Sequence, residues 1–310
     1  MSNLKLSPLL KVVVITLLAG VASGGTSLLV GTTKLDHLFE IQKPKGESAK
    51  TSLGRKMSAD AESITPAKDQ MNEVPKPFQG TIIYQAKLKA NEKVIALTFD
   101  DGPDPKNTVQ ILEILKKNNI KATFFMLGQM VKSFPQVAKQ VAADGHVIGN
   151  HTWHHWYRHM DAATAANEIN HTADIIYKTT GVKTTLFRPP GGFLNNGLAD
   201  YAKNQNYAVM MWSQESGDAK RPSPQVPTLV KNVLNNAKPG AIVLMHDGGG
   251  NRSRTVQALP QIINALKAQG YRFVTIIQLL EIQAQEKNLV TAASPVVTNH
   301  EHPNHQLNHQ

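Results

Sequence analysis

Seven short apolar runs, separated by helix-length amphipathic segments, constrain this chain more than any other feature of its sequence. The runs lie at 94–99, 122–127, 146–149, 185–187, 207–212, 241–245 and 272–276. Segments 108–118, 135–143, 161–180, 197–204, 225–236 and 255–269 separate them. In the first of these segments Val109, Ile111, Leu112 and Leu115 recur at helical spacing. Pro135, Pro227 and Pro260 fall in or near the starts of helical segments, and Gly145, Gly181 and Gly270 follow helix ends, as capping requires. Repeated strand–helix units predict a parallel sheet with helices outside it. Seven such units suit an α/β fold in the form of a distorted (β/α) barrel of about seven parallel strands, with a doubly wound open sheet as the alternative. A short hairpin near 81–88 is expected ahead of the first unit.

The flanks of this alternation differ in character. Lys5 and Lys11 precede an uncharged stretch, 12–31, with a strongly apolar heart at 12–19. A basic start followed by an apolar core is the pattern of a secretory signal, and Ala22-Ser23-Gly24 offers small residues for cleavage. The stretch also reaches the length of a membrane anchor, which needs about 20 apolar residues. Residues 1–33 therefore read as a signal peptide or membrane anchor, and 34–79 as a polar linker. The expected location is outside the cytoplasm, either anchored on the outer side of the cytoplasmic membrane or secreted or periplasmic. The catalytic unit is set at 80–285. The tail, 286–310, is polar and carries His300, His302, His305 and His309, and disorder is expected there.

Composition excludes several chemistries. The chain has no cysteine, so disulfides, thiolate metal sites and a cysteine nucleophile are ruled out, and any metal must be held by His, Asp or Glu. The formal net charge of +10 favours anionic surroundings. No basic run with interleaved aromatics is present, so nucleic acid is not an expected partner.

The polar clusters fall at corresponding places, namely the carboxyl ends of the apolar runs. Asp100 and Asp101 end the first, His151 and His155 follow the third, and Arg188 ends the fourth. Glu215 and Asp218 follow the fifth, and His246-Asp247 ends the sixth. In a parallel barrel the loops at that end converge, so these residues are expected to meet. Adjacent carboxylates repel unless their roles separate, one binding a metal while the other accepts a proton from an activated water. His151 and His155, four apart, would share one face of a helical turn and clasp an ion with Asp101, leaving His154 rotated away. Zn²⁺ fits this ligand set, and other divalent ions suit the same donors. Arg188 precedes a Gly-opened turn where a backbone N–H can stabilise an oxyanion, and could hold Asp100 ionised. His246 titrates near neutrality and could protonate a leaving amine.

Taken in order, Thr98–Pro103, His151-Thr152-x-x-His155, Arg188-x-Pro190-x-x-Phe193 and Leu244-x-His246 resemble the motifs of the polysaccharide deacetylase family, also called the NodB-homology domain or carbohydrate esterase family 4. The resemblance spans about 80–281. It implies Asp100 as general base, Asp101, His151 and His155 as metal ligands, and Arg188 orienting the base. It implies Leu244 lining an acetyl pocket and His246 as general acid, with Asp218 tuning it. Gly191 and Trp212 are further expected substrate contacts. The fourth motif departs: Glu215 stands at its first acid and Ala219 where the family has Trp, which opens one wall of the sugar groove. The implied activity is removal of N-acetyl groups from an N-acetylglucosamine-containing polysaccharide, with peptidoglycan the first choice. Chitin oligomers, an exopolysaccharide, O-acetyl ester cleavage and an inactive carbohydrate-binding domain are the alternatives.

Overall fold

In the computed structural model, residues 73–293 are described. The stretch 12–31, most of the expected linker and the histidines of the tail lie outside them. Nine strands form one sheet: β1 (Ile82–Ile83), β2 (Val94–Asp100), β3 (Thr123–Met126), β4 (Val147–Asn150), β5 (Leu186–Phe187), β6 (Ala208–Met210), β7 (Gln214–Glu215), β8 (Ala241–His246) and β9 (Arg272–Phe273). Every pairing is parallel, in the order β1-β6-β5-β4-β3-β2-β8-β7, with β9 beside β2. Eight helices connect and cover them: α1 (Asn107–Lys117), α2 (Gly128–Ser133), α3 (Pro135–Ala143), α4 (Ala162–Thr180), α5 (Leu198–Asn204), α6 (Val226–Leu234), α7 (Ser253–Ala268) and α8 (Ile276–Ala293). The fold is the α/β barrel architecture expected, with more strands because several are only two residues long.

The period-two alternation of strand side chains sorts the apolar residues into two cores. On β2, Ile95, Leu97 and Phe99 point outward and pack with α1, α6 and α7 through Ile111, Leu115, Leu229, Leu259 and Ile262. Val94 and Ala96 point inward and join Phe125, Leu186, Met210 and Ile242 in a second core. Because both faces are covered, the strand residues of β2 are all buried, which is why they read as a continuous apolar run. Ile276, Ile277, Leu279 and Leu280 of α8 join the inner core beside Val94, at the amino end of β2. The inward series continues as Thr98 and Asp100 toward the other end, where the chemistry sits.

Four local expectations change. No hairpin forms at 81–88; β1 pairs in parallel with β6 instead. The fold begins before residue 80, since Val74 and Phe78 belong to the inner core. The last run, set at 272–276, is strand only at Arg272–Phe273, and α8 starts at Ile276 and continues to Ala293, beyond the boundary set at 285. Pro260 lies inside α7 rather than near its start. The glycines after α3, α4 and α7 do adopt left-handed φ, at 76°, 74° and 85° for Gly145, Gly181 and Gly270.

One buried acid locks the turn that follows β2. The Asp247 and Gly248 N–H groups both donate to the Asp100 carbonyl, at 3.1 and 3.2 Å. Asp247 Oδ2 accepts from Thr108 Oγ1 at 2.5 Å. A Cβ on Gly102 would lie 2.2 Å from that Oδ2, so only glycine lets the turn approach so closely. Burial pushes the Asp247 carboxyl up to about 7, with Asp101 and Asp100 adding repulsion. A carboxyl whose folded pKa lies above its ordinary value of 3.8 holds its proton more tightly in the fold. Its contribution to stability is thus fully present below about pH 4 and is lost as pH rises to about 7. Asp247→Asn, which keeps the shape without the charge, is expected to gain on the wild type across that interval in thermal unfolding of the metal-free protein. A difference between the two that does not change with pH would refute the assignment.

Candidate active site

The centre of the site is Arg188, fully buried at 0 % exposure where β5 ends. Its Nη1 donates to Asp100 Oδ1 and to Thr98 Oγ1, both at 2.8 Å. Nε and Nη2 donate to the Met210 and Met211 carbonyls at 3.0 and 3.2 Å, and the guanidinium lies 4.0 Å from the Phe125 ring centroid. Asp100 is thereby fixed through one oxygen. Its other oxygen, Oδ2, lies 3.8 Å from His151 Nε2.

Asp101 reaches the same space because its backbone turns back. Its φ of 75° is left-handed, an uncommon conformation for a residue with a Cβ. Asp101 Oδ1 lies 3.5 Å from His151 Nε2 and 3.2 Å from His155 Nε2. That oxygen is buried without a hydrogen-bond partner. His151 Nδ1 lies 2.7 Å from the Arg188 carbonyl, which can only accept, so Nδ1 carries the proton and Nε2 presents its lone pair. One donor atom from each of Asp101, His151 and His155 thus lies within 4.8 Å of the others. An unpartnered buried carboxylate oxygen facing two imidazoles is what a divalent cation would satisfy, so the residues fit a metal.

The two histidines do not share a helical turn. Residues 151–155 are loop, and Thr152 and His155 have φ of 71° and 63°. Two left-handed residues fold the loop so that rings four apart converge, and the Thr152 hydroxyl accepts the His155 N–H at 3.1 Å. His154 is turned away, as expected: its Nδ1 lies 2.6 Å from Glu168 Oε1 and its ring stacks on Trp156 at 4.2 Å.

His246 stands beside Asp100, since the two are lateral partners on β8 and β2. Its Nδ1 lies 2.8 Å from Asp218 Oδ1, while Asp218 Oδ2 accepts the His246 N–H and the Thr255 hydroxyl, each at 2.8 Å. Burial alone would lower the His246 pKa, but the Asp218 hydrogen bond and charge outweigh it and raise the value. Burial likewise would raise Asp218, and His246 with Thr255 hold it below the usual range. At Asp101 burial opposes ionisation, but His151, His155 and His246 keep its carboxyl well below the usual range. His155 is lowered by burial and by the neighbouring His151.

Asp100, Asp101, His151, His155, Asp218 and His246 line one cavity of about 430 Å³, and Arg188 is not among its lining residues. Gly191, Leu244, Trp212, Glu215 and Ala219, all singled out by sequence, line it too. Gly191 sits in the turn after Arg188 with φ of 61°. Tyr157, Lys220, Arg221 and Arg252 also line it and were not foreseen. Only Tyr157 had a signal, an aromatic just beyond the histidine pair; the three cations sit in loops with no periodicity to place them.

The polysaccharide deacetylase family matches residues 87–210 of the chain. A peptidoglycan-N-acetylglucosamine deacetylase of Bacillus cereus is 44% identical over 195 residues, which is 61% of this chain and 89% of that protein. The peptidoglycan-N-acetylmuramic acid deacetylase PdaC of Bacillus subtilis is 39% identical, with 64% of this chain and 41% of that protein aligned. Among solved structures, a peptidoglycan N-acetylglucosamine deacetylase in complex with 4-naphthalen-1-yl-N-oxidanyl-benzamide superimposes with a TM-score of 0.60 at 37% identity, covering 65% of this chain and 92% of that one. A pseudoenzyme of carbohydrate esterase family 4 from Bacillus anthracis superimposes with a TM-score of 0.59 at 32% identity, covering 65% and 69%. With the barrel, the ordered motifs and these relatives in agreement, the chain belongs to the polysaccharide deacetylase family.

Proposed function

We propose that this protein hydrolyses the N-acetyl groups of peptidoglycan amino sugars, with Asp100 as base, His246 as acid, and a divalent ion on Asp101, His151 and His155. The observation that carries the reading is the pairing on two adjacent strands, β2 and β8, beside the Asp-His-His cluster. A carboxylate fixed by a buried arginine stands next to an imidazole fixed by a buried aspartate. A pseudoenzyme shares this fold, so activity is argued from these residues and not from the architecture.

A divalent ion held there, Zn²⁺ by its donor set, supplies Lewis acidity to the acetamide carbonyl and acidifies a water. Asp100 removes the proton of the attacking water through Oδ2, since Oδ1 is committed to Arg188. The Gly191 N–H is the backbone donor assigned to the oxyanion that develops on the carbonyl oxygen. Leu244 and Trp212 border the acetyl methyl and the sugar. His246, cationic through Asp218, gives its proton to the departing nitrogen as the C–N bond breaks. Water and acetamide thus become acetate and a free amine on the polymer.

Relatives named for peptidoglycan support that substrate, and the polymer lies outside the cytoplasmic membrane. The basic start and uncharged stretch 12–31 supply the route of export, cut or retained as an anchor. Among the described residues no helix is long and apolar enough to cross a membrane. Protease shaving of intact cells is expected to remove residues 80–285 from the outer face or find them in the secreted fraction; full protection until lysis would refute export.

Ligand and base roles are separable by metal content. His151→Ala or His155→Ala should lose both metal and activity, whereas His154→Ala should keep the metal. Asp101→Asn should weaken metal binding, with activity partly restored by excess ion. Asp100→Asn should keep the metal and lose about 10²–10⁴-fold in turnover. If Asp100→Asn empties the site while Asp101→Asn leaves it filled, the two roles are reversed.

The acid role is read from pH. A raised His246 pKa keeps its proton to higher pH, so acetate release should fall on the alkaline side as that proton is lost. Asp218→Asn removes the group that raises it, and the alkaline limb of kcat/KM should move to lower pH. An unmoved limb would exclude His246 as the acid.

A further inference from the structure

The two sides of the cavity differ in chemistry. Beside Gly191, Tyr157 and Phe193 pack edge to face at 5.5 Å and remain 55% and 46% exposed, an aromatic surface suited to a sugar ring. The other side carries Ala219, Lys220 and Arg221 in succession, all exposed. Where a large side chain would close the groove, Ala219 offers a methyl group, and the next two residues bring positive charge.

The charges that line the cavity are nearly all committed. Asp100 is held by Arg188, Asp218 by His246, and Asp101 faces His151 and His155. Arg252 donates to the Gly248 and Asp218 carbonyls at 2.7 and 3.0 Å. Lys220 lies 3.8 Å from Glu215, both side chains at least half exposed, a loose contact that leaves the ammonium free to swing. Arg221 has no ion pair or hydrogen bond among the described residues, yet it borders the cavity. A guanidinium in a groove, solvated and unpaired, presents two parallel N–H donors to a planar anion.

We propose that Lys220 and Arg221 form a subsite for a carboxylate carried by the glycan beside the acetamide to be cleaved. This rests on the deacetylase reading and narrows its substrate to an acidic amino-sugar polymer over a neutral one. The carboxylate has two chemical sources. A muramyl sugar stripped of its peptide carries a free lactyl carboxylate; when the peptide is attached, that group is an amide and the carboxylates belong to the peptide. The net charge of +10 adds attraction at longer range.

The test compares kcat/KM for acetate release from three glycans of equal length: a neutral chito-oligosaccharide, a muramyl glycan without peptide, and one with peptide. At low salt the zinc-loaded wild type should favour a carboxylated glycan, and the preference should shrink as salt screens it. The preference ratio should fall about threefold in Arg221→Gln and about tenfold in the double variant with Lys220→Gln, mainly through KM. Arg221→Glu should lower the ratio further. The glycan whose ratio falls identifies the source of the carboxylate. A ratio unchanged in the double variant, or a wild type that favours the neutral glycan, overturns the subsite. If no glycan releases acetate, the deacetylase reading falls, and calorimetric binding of the same three glycans decides the subsite: tighter, salt-sensitive binding of a carboxylated glycan supports it, and equal affinities overturn it.

Discussion

A guanidinium without access to water organises this molecule. Removing an ion pair from solvent costs several kcal/mol per ion even after relaxation, so Arg188 and Asp100 are tolerated only with close to full satisfaction. The surroundings supply it. Arg188 reaches Asp100, Thr98 and two carbonyls at the end of β6, and its face rests on Phe125. These partners come from β2, β3 and the segment leaving β6, so one side chain joins separate parts of the barrel. Its own carbonyl accepts from His151 Nδ1, which sets the tautomer of a proposed metal ligand. Orientation of the proposed base and preparation of the proposed ligand therefore come from one residue.

The second constraint is backbone strain. Asp101, Thr152 and His155 all adopt left-handed φ, which costs about 1–2 kcal/mol for a residue with a Cβ. The strain is held in place by the packing of Asp247 against Gly102, by the hydroxyl of Thr152 and by the Glu168 carboxylate, which accepts the Trp153 and His154 N–H groups. What is gained is convergence. Neighbouring residues on a strand would point to opposite faces, and histidines four apart in an extended loop would share a face but stand about 13 Å apart, too far to hold one ion. Left-handed turns bring Asp100 with Asp101, and His151 with His155, into one cavity.

Much of this was legible in the sequence, for a physical reason. Strands covered on both faces must be apolar throughout, so β2, β3 and β8 declare themselves as runs, and the polar residues that end β2 and β8, Asp100 and His246, mark the open end of the barrel. A two-residue strand such as β7 carries no such pattern, and β1 was mistaken for part of a hairpin because its partner β6 lies far along the chain. Spacing correctly joined His151 and His155 but for the wrong local reason, since i,i+4 separation says nothing of left-handed φ. Arg252, Lys220 and Arg221 were invisible because loop cations acquire meaning only from what the fold puts beside them.

The titrations complete the arrangement. The imidazoles that Asp101 and Asp218 face hold these carboxyls below the usual range, while Asp218 makes His246 keep its proton to higher pH. Hydrolysis of an amide needs a group that accepts a proton and a group that gives one, present together at the same pH. Unassisted carboxylate and imidazole side chains meet that need only over a narrow interval. Asp218 extends that interval upward in pH by raising His246, while Arg188 on the other side fixes the orientation of Asp100, and neither charge neutralises the other. The two partner ions reach their targets from opposite sides of the β2–β8 pair, Arg188 from β5 and Asp218 from the loop after β7. The same parallel sheet that sets the proposed acid beside the proposed base thus also keeps their supports apart.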